Sequence, residues 1–177
     1  DAASCNALRK PVIEGTSSQD AACGGTCAGD WTEVTSVGAT QNGSGTTSSA
    51  DGTKLAAVVR YGNIWTSNDS GVSWSETASG ANSWEAITSS ADGTKLAAAV
   101  YNGNIWTSSD SGATWTEDTS VGETKKWGDI TSSADGTKLA AIVLNDKIWT
   151  SDDSGATWTE DTTTGVKKAW KRITSSS

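Results

Sequence analysis

The chain has 177 residues, of which 34% are apolar; it carries ten Trp and no Phe, Met or His. That length supports one domain with its own core, and the missing His removes Ser-His-Asp and Cys-His catalysis. A formal charge of −8 works against nucleic acid and anionic membranes as partners, since both need a basic footprint, and no apolar run approaches the ~20 residues of a membrane-spanning helix.

The chain begins at Asp1 without a Met, as a processed, secreted protein would, so an extracellular setting is the expectation. Residues 1–30 form a divergent segment holding Cys5, Cys23 and Cys27. One disulfide and one odd thiol is the natural count in an oxidising compartment. Cys5 can reach Cys23 or Cys27, and the odd thiol is free to pair between chains. Three Cys without His do not complete a zinc site, and no cofactor is expected. Trp31 to Gly38 then matches Trp115 to Gly122 and reads as a strand of a repeat. Asn42-Gly43-Ser44 and Asn68-Asp69-Ser70 are N-glycosylation tripeptides, meaningful in a secreted eukaryotic chain.

From Thr47 onward repetition dominates. The run Thr-Ser-Ser-Ala-Asp-Gly-Thr-Lys-Leu-Ala-Ala starts at Thr47, Thr88 and Thr131, and Thr174-Ser175-Ser176 opens a fourth copy. A period near 40 residues sets the architecture before any local assignment. In the second copy, Trp84 to Ser90 reads as strand A, and Ala91-Asp92-Gly93-Thr94 as a turn. Lys95 to Tyr101 is strand B, and Asn102-Gly103 a turn expected to need positive φ at both positions. Asn104 to Ser108 is strand C, Asp110-Ser111-Gly112 a turn, and Thr114 to Asp118 strand D. Four short antiparallel strands in about 42 residues make one propeller blade.

The Trp spacing follows the same period. Trp65, Trp106 and Trp149 fall in strand C, 41 and then 43 residues apart, and Trp31, Trp74, Trp115 and Trp158 open strand D. Trp84, Trp127 and Trp170 open strand A. Strand B, Leu96 to Val100, is apolar on both faces, as a strand between two neighbouring sheets should be. Thr-Ser-Ser at the end of strand A suits an innermost strand beside a narrow channel. In the first copy Gly43 and Thr46 replace the Trp and Ile of Trp84 and Ile87, so that blade is expected to lack its aromatic plug and to leave a cleft.

Three A-B-C-D units and a terminal strand A are thus expected. Alignment back from Trp31 places Pro11 to Thr16 opposite strand B and Ala21 to Cys23 opposite strand C. The expected fold is an all-β propeller of four-stranded antiparallel blades in a single domain, residues 1–177, with the repeats spanning 31–177. Four blades result if the C-terminal strand A closes with N-terminal strands B, C and D. Closure removes the exposed edge; the same strand A could instead complete a neighbouring molecule, a heterologous contact that builds rings or filaments, or the chain could be a piece of a longer propeller.

The C–D turns read Ser67-Asn68-Asp69-Ser70-Gly71-Val72-Ser73-Trp74, Ser108-Ser109-Asp110-Ser111-Gly112-Ala113-Thr114-Trp115 and Ser151-Asp152-Asp153-Ser154-Gly155-Ala156-Thr157-Trp158. These resemble the Asp-box, Ser-x-Asp-x-Gly-x-Thr-Trp, of sialidase-like (BNR-repeat) β-propellers. The resemblance implies a structural role: Asp69, Asp110 and Asp153 accept hydrogen bonds from the turn, Gly71, Gly112 and Gly155 take a tight backbone position, and Trp74, Trp115 and Trp158 pack between sheets. It does not carry function, because such folds host glycosidases, assembly factors and binding proteins alike.

A sialidase would need an Arg triad, a Tyr nucleophile with a Glu partner, and an acid/base Asp. Here there are only Arg9, Arg60 and Arg172, with Tyr61 and Tyr101, so no catalytic residues are assigned. Asp152-Asp153 could do acid/base work in principle, but a solvated turn is the simpler reading. The turns lack the Asp-x-Asp-x-Asp-Gly pattern of a calcium loop, and no metal site is expected. Variation between copies concentrates in the B–C turns, at Arg60, Tyr61, Tyr101, Asn102 and Asn145, where a ligand such as a glycan would contact an otherwise repeated scaffold. The function expected is a non-enzymatic extracellular scaffold that self-associates into an oligomer or filament. The alternative is a carbohydrate-binding propeller, with a glycosidase a distant third.

Overall fold

A computed structural model describes residues 41–163, 165 and 167–175. The three cysteines, Trp31 to Gly38 and the alignment of Pro11 to Cys23 lie outside these residues. Twelve strands and no helix occur among them, in three groups of four. The first unit contains β1 (Gly43–Ser48), β2 (Leu55–Gly62), β3 (Ile64–Ser67) and β4 (Ser75–Glu76). The second contains β5 (Asn82–Ser89), β6 (Leu96–Gly103), β7 (Ile105–Ser108) and β8 (Thr116–Asp118), and the third β9 (Lys125–Ser132), β10 (Leu139–Val143), β11 (Ile148–Ser151) and β12 (Thr159–Glu160). Within each unit consecutive strands pair antiparallel, for instance Ile87 with Ala98 and Ala98 with Trp106. The fold is an all-β propeller.

Units join through their B strands. The end of β2 pairs with the start of β5 (Arg60 with Ser83), and the end of β6 with the start of β9 (Tyr101 with Lys126). This second pairing extends β6 two residues past the expected end at Tyr101. The two pairings start β5 and β9, respectively, two residues ahead of Trp84 and Trp127.

The core lies between units, in two layers. Ala56, Val58 and Ile64 of the first unit meet Trp84, Ile87, Leu96, Ala98 and Val100 of the second. On the other face, Ala86, Ala97, Ala99 and Ile105 meet Trp127, Ile130, Leu139, Ala141 and Val143 of the third. Strand β6 therefore alternates between two cores, which is why no position in Leu96 to Val100 is polar. Trp84 and Trp127 are essentially fully buried. Each meets two indoles of its own unit at edge-on or tilted angles, Trp106 and Trp115 at 6.0 and 6.4 Å, Trp149 and Trp158 at 6.3 and 6.2 Å. Their indole N–H groups donate across the interface to the carbonyls of Gly62 (3.0 Å) and Gly103 (3.1 Å).

A bulge makes this burial possible. Residues three apart on a regular strand point to opposite faces, yet Trp84 and Ile87 share one core. The register shifts between Trp84 and Ala86, and this extra residue turns the indole to the Ile87 side.

The inner strands touch one another through hydroxyl and turn contacts. Thr47 Oγ1 donates to Ser89 Oγ (3.1 Å) and Ser89 Oγ to the Ser48 carbonyl (2.9 Å). The amides of Ala50 and Ala91 donate to the carbonyls of Ala91 and Ala134, each at 2.7 Å. Compact Thr and Ser side chains are what such close strands accommodate.

The expected terminal strand A departs from this pattern: Trp170 to Ser175 is not in a strand ladder. A strand A in this fold takes its ladder from the strand B that follows it, and the segment aligned with that role, Pro11 to Thr16, is outside the described residues. The segment nevertheless keeps repeat-related side-chain contacts. Ile173 N donates to Asp129 Oδ2 (3.0 Å), Ser175 N to Thr131 Oγ1 (3.1 Å), and Ser175 Oγ to the Ser132 carbonyl.

Candidate functional site

Two sets of carboxylate turns stand at one end of the sheets. In the C–D turns, Asp110 accepts from Thr114 N (2.9 Å), Thr114 Oγ1 (2.6 Å) and Ser108 Oγ (2.8 Å), while Ser108 Oγ accepts from Gly112 N (2.9 Å). Asp69 and Asp153 repeat the arrangement with Ser73 and Ser67, and with Thr157 and Ser151. Gly71, Gly112 and Gly155 have φ of 86°, 87° and 90°, a region that Gly adopts without penalty. Ser70, Ser111 and Ser154 also have positive φ, which the residue types alone did not indicate.

The A–B turns use the same chemistry. Asp51 accepts from Ser49 Oγ, Thr53 N and Thr53 Oγ1, and Asp92 and Asp135 do likewise. Hydrogen bonds to a carboxylate favour its charged form. Hydroxyls of Ser73, Thr114 and Thr157 are the largest influence on Asp69, Asp110 and Asp153, holding each at about 2. Ser49 and Ser90 lead for Asp51 and Asp92, also about 2, and Ser133 leads in pulling Asp135 lower still. All six carboxylates are thus engaged in their own turns. Asp152 instead pairs with Lys138 at 2.8 Å, so the adjacent Asp152 and Asp153 serve separate contacts.

Lysines of the repeat link successive units here. Lys54 Nζ donates to Ser111 Oγ (3.1 Å) and Lys95 Nζ to Ser154 Oγ (3.3 Å). The presence of a Lys at this point in every copy was the available signal.

The B–C turns occupy the opposite end. Tyr61, Asn102 and Asn145 hold the same repeat position, with φ of 65°, 58° and 58°. Asn102 but not Gly103 has positive φ, contrary to the two-position expectation. Gly103 is required for space: a Cβ there would lie 2.6 Å from Val100 Cγ1. Tyr61 is 74% exposed. Arg60 pairs with Glu85 of the next unit. Asn63 and Asn104 donate to Glu76 (2.7 Å) and Glu117 (2.9 Å), and Lys147 to Glu160 (2.8 Å). Arg60, Tyr61, Tyr101, Asn102 and Asn145 therefore sit in three successive turns and do not converge on one pocket. Asn42 and Asn68 are both exposed.

Among the described residues an added Cβ at Gly43 meets nothing within 4 Å, at the repeat position where the other two units bury Trp84 and Trp127. A cavity of about 270 Å³ lies elsewhere, between the second and third units at the carboxylate-turn end. Among the described residues no group of three or more Asp, Glu, Cys or His is arranged to hold a metal.

No protein-family model matches the chain, and no curated protein matches it. Solved structures do. YCF48 bound to D1 peptide is similar over 68% of this chain and 40% of its own, at 15% identity and a TM-score of 0.55. The GH74 xyloglucanase from Xanthomonas campestris is similar over 71% of this chain but 19% of its own, at 19% identity and 0.53. The β-propeller domain of Swd1 from Myceliophteria thermophila is similar over 69% of this chain and 39% of its own, at 9% identity and 0.55. This chain thus spans well under half of each of these structures, and the likeness concerns the propeller fold alone.

Proposed function

We propose that this chain is a non-enzymatic extracellular building block that assembles through its terminal strands, with its Ser-x-Asp turns acting as structural Asp-boxes. The observation that supports this is the seat of Trp170 to Ser175. Ser175 Oγ reaches the Ser132 carbonyl as Ser89 Oγ reaches that of Ser48, a repeat-related contact that supports reading the segment as a further strand A. Among the described residues Trp170 to Ser175 is in no strand ladder, and backbone donors and acceptors outside a ladder are ones another strand can pair. In this reading the sequence alignment assigns strands B, C and D to Pro11 to Thr16, Ala21 to Cys23 and Trp31 to Gly38, outside the described residues. Within one chain they complete a fourth blade; between chains they give head-to-tail assembly, and the odd cysteine adds a covalent link. A non-catalytic role accords with carboxylates held in turns and with Arg60 engaged by Glu85.

Light scattering and electron microscopy of the native protein test the proposal. Oligomers or filaments are expected, and Ser175→Pro, which removes the N–H bonded to Thr131, should shift them to smaller species. A single monomeric species at every concentration overturns assembly.

One observation favours carbohydrate binding as a second reading. Tyr61 presents its ring to solvent at a backbone position where the other two copies place Asn. A glycan array tests it, with binding expected to fall in Tyr61→Asn and Tyr101→Ala variants.

A further inference from the structure

The cavity between the second and third units has a counterpart between the first and second. Nine repeat positions line both, while Thr107, Thr114 and Thr116 line the larger alone and Thr47 the smaller alone; the volumes are about 270 and 10 Å³. Lys95, Leu96, Ser132, Gly136, Leu139 and Ser154 have identical residues one repeat earlier. Thr114 and Thr116 replace Ser73 and Ser75, which adds atoms rather than removing them. Only Ser109, standing where the first unit has Asn68, reduces a side chain. Ser109 is thus the one position in the larger lining with a smaller side chain than its first-unit equivalent.

The chemistry of the opened cavity is specific. Its floor is aliphatic, from Leu96, Ala97 and Leu139. Thr107, Ser109 and Thr116 line it as well, and no hydrogen bond among the described residues engages their hydroxyls. Lys95 is the charged residue in its lining, and its ammonium donates to the Ser154 hydroxyl. An anion is disfavoured despite that ammonium. Asp135 lies within its electrostatic reach, and Asp110 stands directly behind Ser108 and Thr114, both of which line the cavity. The volume is just under the ~300 Å³ at which small-molecule pockets begin.

We propose that this cavity between units two and three, opened by Ser109 in place of Asn68, binds a small neutral polyhydroxylated ligand the size of one sugar ring. The aliphatic floor takes the C–H face of the ring. Free hydroxyls and the Lys95 ammonium exchange hydrogen bonds with its edge. The site lies at the end opposite the B–C turns and does not depend on assembly through the terminal strands.

The test uses the full isotope-labelled chain, titrated in NMR with D-glucose, D-galactose and N-acetyl-D-glucosamine, and separately with inorganic phosphate. At least one sugar is expected to shift amides in 107–116 and 132–136, with little response to phosphate. Ser109→Asn should weaken that binding at least tenfold. Asn68→Ser should add a second set of shifts in 66–75, taking the stoichiometry from one to two. The proposal is overturned if none of the three sugars perturbs these amides, if phosphate binds in their place, or if the two variants leave affinity and stoichiometry unchanged.

Discussion

At the scale of single residues, the six repeat aspartates behave as backbone-pinning groups. Their folded pKa values lie below the ordinary carboxylate value, at about 2 for Asp51, Asp69, Asp92, Asp110 and Asp153. An unfolded chain takes up these protons near pH 4, whereas the folded one resists until about pH 2. Between those values the unfolded state binds more protons, so stability rises with pH. Melting temperature should be level above about pH 4.5 and fall steadily from pH 4 to pH 2, and Asp110→Asn should lower the plateau and flatten the fall. Tyr61 makes the opposite kind of statement. A left-handed backbone costs an L-residue roughly 1–2 kcal/mol, and Asn bears it with less penalty. Tyr61→Asn should therefore stabilise the fold by about 1 kcal/mol in denaturant titration; a loss of stability would show that the ring packs usefully. The turn roles of Asp69, Asp110 and Asp153 were implied in the sequence by the resemblance of their turns to the Asp-box, not by spacing alone. The positive φ of Ser70, Ser111 and Ser154 was not, since no residue type signals it.

At the scale of elements, strand A is decided by its bulge. The pair Trp84 and Ile87 violates the two-residue period of a strand, and the register shift between Trp84 and Ala86 resolves it. The buried indole then carries much of the interface. Trp84→Ala and Trp127→Ala should each cost about 3–5 kcal/mol. Trp84→Phe should cost less but still leave the Gly62 carbonyl without its indole donor. Urea melts followed by near-ultraviolet dichroism measure both. The glycines of the C–D turns act between elements as well. A Cβ on Gly112 would stand 2.8 Å from Thr66 Cγ2 of the preceding unit at φ of 87°, so Gly112→Ala should loosen that unit contact as well as strain the turn.

At the scale of the whole molecule, stability should pass between neighbouring units, as in other repeat folds. Each buried layer is shared by two units, and β6 serves both layers. Ala98→Leu and Ala97→Leu should therefore overpack different interfaces, costing about 1–3 kcal/mol each. Hydrogen exchange should rise first in β2 for the former and in β10 for the latter. The repeat period, the four-strand unit and the doubly apolar strand B were legible in the sequence, because local alternation and turn chemistry are short-range properties written residue by residue. The facing of Trp84, the gap at Ser109 and the extension of β6 toward β9 arise only when one unit is set against the next. Those features depend on which atoms fill the space between two sheets, and that space exists only in the folded chain.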